Sequence, residues 1–154
     1  MAEPRWLTDA EMSAWRSYVV ATLRLRQRLH RELTEAHDVS LADYEVLVLL
    51  DAQPDRRMRM SELASLLGSA KSRLSHQAAR MEAEGYVRRV SDPDDKRGVI
   101  AELTRAGKRV LKAAAPTHVD GVRTHLIDQL SPDEQAVLAS AFSRVLVHLD
   151  ELDE

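Results

Sequence analysis

Residues 69–80, SAKSRLSHQAAR, carry Ser69, Ser72, Arg73, His76 and Arg80 at steps of three and four. At about 100° per residue these side chains share one face of a helix, opposite Leu74, Ala78 and Met81. Ser75 and Gln77 flank that face, and Lys71 stands near its start. The set is rich in hydrogen-bond donors and holds no carboxylate before Glu82. Such a surface suits base-pair edges in a major groove: Arg forks onto guanine O6 and N7, while Ser and His reach base edges or phosphates. An ordinary solvated helix face mixes in more Glu and Asp, which tells against that simpler reading.

A second polar stretch follows at 91–104, SDPDDKRGVIAELT. Alone, a charge run is most simply a solvated turn. Here it joins two β-patterned runs, YVRRV and VIAEL, so the three together read as a hairpin. A hairpin behind a recognition helix lies beside the minor groove, whose negative potential attracts arginine. Arg97 is the expected inserted group, with Asp95 holding its guanidinium in one rotamer. Arg88, Arg89 and Lys96 are expected on phosphates.

The elements that must position these residues follow from periodicity and caps. Asp9 to Ala36 has apolar Trp15, Tyr18, Val19, Leu25, Leu29 and Leu33 at helical steps, without Gly or Pro. SLADYEVLVLLDAQ predicts a buried helix capped by Ser40 and ended by Pro54. A short helix lies near Met60–Leu67, stopped by Gly68, and Ser69 is the expected cap of the next, which runs to Glu84 and closes at Gly85. Thr104 caps a further helix in which Pro116 predicts a kink or break. SPDE at 131–134 is a capping box with proline at the first helical position. The helix behind it carries Leu138, Phe142, Val145, Leu149 and Leu152 on one stripe.

This order predicts a mainly α fold: a winged helix-turn-helix core with a two-stranded wing, flanked by N- and C-terminal dimerisation helices. Residues 1–40 are expected to form the N-terminal dimerisation helix, 41–104 the DNA-binding region and 105–154 the C-terminal dimerisation helices. The terminal apolar stripes have no partner inside a winged-helix core, so two chains are expected to bury them as a homodimer.

Composition bounds the rest. A chain of 154 residues suffices for one domain with a core, and the absence of cysteine excludes disulfides and thiolate metal sites. Net charge is −3, yet residues 54–98 hold ten Lys/Arg against seven Asp/Glu, so a mildly basic middle sits between acidic ends. No secretory signal is visible and the longest strongly apolar run is VLVLL, so a cytoplasmic location with no membrane contact is expected.

MSELASLLGSAKSRLSHQAARMEAEGYVRRVSDPDDKRGVIAELTRAGKRVL resembles the winged-helix core of the MarR (multiple antibiotic resistance regulator) family. The wing pattern, aspartate, one residue, arginine, then a strand ending in Leu-Thr, is matched by Asp95, Arg97, Leu103 and Thr104. The resemblance implies a homodimeric regulator whose first and last helices intertwine into a single domain, a palindromic double-stranded DNA operator and often a small anionic aromatic effector held in a cleft. Repression, relieved by that effector, is the expected mode. Members that sense oxidants through cysteine are no guide here.

Trp15, Arg16, Tyr18 and Tyr44 are candidates to line such a cleft, although aromatic residues on helix stripes more often serve the core. His118 and His125, with Asp120 and Asp128 nearby, invite a metal, but no His-x-x-x-His pair exists and no metal or other cofactor is expected. His37, near a helix C-terminus, suits the helix dipole. No phosphate-cradling loop or nucleophile set supports an enzyme. The stronger rival is a winged helix used only for protein contacts, which would require an apolar outer face on 69–80.

Overall fold

The computed structural model describes residues 3–95 and 97–153. The chain divides into two compact units, Met1–His118 and Val119–Glu154. The first begins with α1 (Asp9–His37), whose Thr8 and Glu11 form a reciprocal capping box and whose end turns at Asp38 in the left-handed region. Only the second half of α1 contributes buried residues, Leu29 and Leu33. α2 (Leu41–Asp51) is capped by Ser40, whose hydroxyl accepts from the Asp43 N–H, and buries Leu41, Tyr44, Val46, Leu47 and Leu50. Burying such side chains stabilises the fold by about 1.5–3 kcal/mol each.

The expected two-stranded hairpin is present and gains a third strand. A strand at β1 (Arg57–Arg59) joins β2 (Val87–Ser91) and β3 (Val99–Leu103) in an antiparallel sheet of order β1-β3-β2. Three residues are too few to show an alternating pattern in sequence. What recruits them is tertiary: Met58 is buried opposite Ala101, and the carbonyl of Arg56, itself at φ 54°, accepts from Leu103 N at 2.9 Å.

α3 (Met60–Leu66) and α4 (Lys71–Ala83) complete the helix-turn-helix. Ser69 does not cap α4; Ala70 occupies that position without a side-chain bond. The reason is the end of α3. Gly68 takes φ 56°, and Gly68 N donates to Ser65 O (3.0 Å) while Ser69 N donates to Ala64 O (2.9 Å), a Schellman closure that commits Ser69 to the preceding helix. Gly85, at φ 79°, and Tyr86 end α4 in the same way.

α5 (Arg105–His125) starts at Thr104, whose hydroxyl accepts from Gly107 N at 3.0 Å. It runs through Pro116 without the break that the sequence led us to expect. Proline withdraws one rung of the ladder, and both Pro116 and Lys112 are exposed, so water reaches the unpaired carbonyl. In the second unit a 3-10 turn (Ile127–Gln129) leads to α6 (Pro132–Asp153), where Ser131 and Glu134 make the expected capping box. Leu138, Val145, Leu149 and Leu152 of α6 stand exposed. Among the described residues no helix is long and apolar enough to cross a membrane.

Candidate nucleic-acid interface

α4 buries Leu74, Ala78 and Met81 and leaves Lys71, Ser72, Arg73, Ser75 and His76 exposed, while Ser69 and Gln77 are half-buried. Among the described residues Lys71, Arg73 and His76 make no side-chain hydrogen bond or ion pair, so their donors face solvent. The first two turns of the outer face are therefore free to meet a ligand.

The third turn is not. Arg80 donates to both oxygens of Asp43 (2.9 and 2.8 Å), and Gln77 Nε2 donates to Asp43 Oδ1 at 3.0 Å. Glu84 lies a further 3.6 Å from Arg80. Burial pushes the Asp43 carboxyl up, but the hydrogen bonds from Arg80, Ser40 and Gln77 outweigh it and hold its pKa below the usual 3.8.

The wing cations divide similarly. Arg88 donates to Glu102 from Nε at 2.9 Å, and Arg57 reaches the same carboxylate at 2.8 Å from the other neighbouring strand, so Glu102 bridges the sheet. Arg89 gives Glu82 of α4 its backbone N–H (2.7 Å) and its guanidinium (3.0 and 2.9 Å). Those bonds, the backbone one first, lower the Glu82 pKa. They also fasten β2 to the recognition helix.

At the wing turn Asp95 accepts from the backbone N–H of Arg97 at 3.0 Å, so it shapes the loop and not the guanidinium. The Arg97 side chain is exposed and has no partner among the described residues. Lys96 lies outside the described residues. Asp92, 4% exposed, sits beneath the turn, where its Oδ1 accepts from Asp94 N at 2.9 Å. Arg59 Nε stands 2.6 Å from Asp92 Oδ2, an ion pair although outside hydrogen-bond angles. A Cβ on Gly98 would meet Asp92 Cβ at 2.8 Å, so only glycine lets the strand pass here.

Between α4, the start of α3 and the wing lies a recess of about 330 Å³ lined by Arg59, Lys71, Arg89 and Arg97 with Ser61, Ser75 and one carboxylate, Asp95. Arg59 and Arg89 are held by Asp92 and Glu82, so Lys71 and Arg97 are the cations this recess leaves unpaired among the described residues. Sequence reasoning missed Arg59 and Asp43. A carboxylate at 43 inside LADYEVLVLL was itself the signal, since a charge in an apolar helix requires a partner.

Three of the four proposed effector residues share α1, and Tyr44 lies on α2. Trp15 and Tyr18 lie 6.0 Å apart, ring to ring, on the exposed part of α1, beside exposed Arg16. Tyr44 is buried, 4.5 Å from the His118 ring. Burial lowers the His118 pKa, with Glu45 acting the other way, and His118 Nδ1 has no partner. Nε2 of His37 lies 2.8 Å from Thr117 Oγ1. Among the described residues no three His, Asp or Glu side chains cluster closely enough to hold a metal ion.

The MarR family model matches residues 37–98, from the end of α1 through the wing turn. Transcriptional regulator HosA of Escherichia coli O111:H- is 31% identical over 121 residues, covering 79% of this chain and 87% of that protein. Transcriptional repressor MprA of Escherichia coli (strain K12) is 24% identical over 123 residues, 80% of this chain and 69% of that protein. Sco3205, a MarR family transcriptional regulator from Streptomyces coelicolor solved in complex with DNA, is 44% identical. It covers 94% of this chain and 90% of its own, with a TM-score of 0.87.

Proposed function

We propose, from the premise that this chain belongs to the MarR family and is a transcriptional regulator rather than an enzyme, that it represses by binding a palindromic operator as a homodimer. The observation that carries this reading is the unpaired donor edge: Lys71, Arg73 and His76 on the first turns of α4, and Arg97 at the wing tip, without side-chain partners among the described residues while neighbouring arginines are tied down. In this reading α4 enters the major groove, where Arg73 reads guanine and Ser72 and His76 meet base edges. Lys71, Ser69 and Ser75 hold the backbone, and Arg97 enters the adjacent minor groove. The complex of Sco3205 with DNA supports the partner, and MprA, a repressor, the sign of the effect.

Exposed apolar side chains support the dimer. Trp6, Leu7, Met12, Trp15 and Leu23 in the first unit, and Val137, Val145, Leu146, Leu149 and Leu152 in the second, are exposed apolar side chains that a second copy of the chain would cover. Two copies of α4 then have to lie about 34–36 Å apart to reach successive major grooves. We propose further that a small anionic aromatic effector acts near Trp15, Arg16, Tyr18 and Tyr44 by favouring another spacing. To swing the population it must prefer that state by roughly 5 kcal/mol, and DNA must weaken its binding by the same factor.

Selection from random duplexes tests the central reading. An enriched inverted repeat is expected; retention of all sequences alike, with Arg73→Ala indistinguishable from the parent, refutes it and leaves the protein-contact module. Titrating candidate effectors with and without the selected duplex tests the second proposal, and equal affinity in both refutes regulation by that compound.

A further inference from the structure

Resting on the DNA-binding reading above, we propose that Asp43 is a positioning residue for the recognition helix, and that Gln77 and Arg80 serve this latch and not the DNA. Asp43 is 3% exposed, and three donors from two turns of α4 converge on it at 2.8–3.0 Å. A fork onto both oxygens fixes orientation as well as distance, which a single contact does not. Arg73 precedes Arg80 by seven residues, two helical turns, so both project from nearly the same side of α4. Whatever turns Arg80 about the helix axis turns Arg73 with it. A rotation of about 20° displaces a side chain some 6 Å from the axis by about 2 Å, enough to lose a base contact.

The post that holds the latch is itself held. Tyr44 packs on His118 of α5, and Glu45 receives both terminal nitrogens of Arg26 from α1 at 2.6 and 2.9 Å. Residues 43, 44 and 45 of α2 thus face α4, α5 and α1 in turn. Stability alone does not account for the pair, because the Arg80 side chain is 51% exposed and a solvent-screened ion pair contributes little. What it supplies is a defined angle.

The test is Arg80→Lys, which keeps the charge and removes the fork. Affinities of wild type and variant are measured on the selected duplex and on an unrelated one across a salt series, with amide hydrogen exchange on the free proteins. The expected result is an unchanged salt slope and unchanged affinity for the unrelated duplex. The specific-to-unrelated ratio falls about tenfold, the worth of one misread base pair, and exchange quickens across residues 71–83. Asp43→Asn is expected to act likewise; if it fails to fold, Arg80→Lys decides alone. A phosphate-binding Arg80 is replaced adequately by lysine, so a variant matching wild type in ratio and exchange overturns the proposal. If wild type selects no sequence, the DNA reading fails. Exchange then judges the latch by itself: quickened exchange across 71–83 supports it and unchanged exchange overturns it.

Discussion

The division between free and paired arginines sets the salt dependence of DNA binding, and Arg97 and Arg89 make the sharpest comparison. Each cation that docks on DNA, at the backbone or in a groove, displaces condensed counterions and steepens the plot of log affinity against log salt by about 0.9. Lys71, Arg73 and Arg97 are unpaired among the described residues, which makes six cations in a dimer and a slope of about −5. Arg97→Ala removes two of the six and makes the slope shallower by about 1.8. Raising salt from about 50 to 200 mM then weakens the variant roughly twelvefold less than the parent. Arg89 differs because its guanidinium lies 2.9–3.0 Å from Glu82. It approaches a phosphate only by leaving that carboxylate or by bringing the negative charge along, so Arg89→Ala is expected to change the slope by less than about 0.5. Fluorescence anisotropy of the selected duplex over a potassium chloride series measures both. An Arg89→Ala slope change equal to that of Arg97→Ala refutes the reasoning, because the ion pairs would then open on DNA without cost.

The remaining expectations concern the scaffold. A Cβ on Gly107 would stand 2.1 Å from the Tyr86 carbonyl oxygen, where ordinary contact begins at 3.4 Å. Gly107→Ala therefore forces α5 from the end of α4 by more than an ångström, at about 1–3 kcal/mol; calorimetry should show Tm lower by about 2–12 °C, and an unchanged Tm contradicts the packing. Burial depresses the His118 pKa below its usual 6.5, so its contribution to stability is present above pH 6.5 and lost as pH falls through the folded value. Wild-type Tm should decline on acidification in that window and His118→Phe should not; parallel declines exclude His118 as the cause. Leu149→Glu puts a charge on the exposed stripe of α6, and sedimentation should show loss of the dimer at micromolar concentration, whereas an intact dimer removes that stripe from the interface.

Periodicity and caps made most of the fold legible. The span of α1, the Ser40 and Ser131 caps, the glycine closures at 68 and 85, and the split of α4 into an apolar and a donor-rich face all depend on residues within a turn or two of each other. The chain's propensities decide such features locally. β1 was not legible, because three residues become a strand only when β3 lies alongside. Nor was the cap of α4, since Ser69 had two local uses and the end of α3 took it. The same limit governed the site. Composition marked Arg80, Arg88 and Arg89 as cations on a DNA-facing surface, but charge in sequence does not reveal its counter-charge. Asp43 lies 37 residues from Arg80, Glu102 lies 14 from Arg88, and Glu82 meets Arg89 only because β2 folds back along α4. Helix faces and turns follow from neighbours in the chain. The choice of ion-pair partner depends on which elements packing brings together, and only the tertiary structure made that choice.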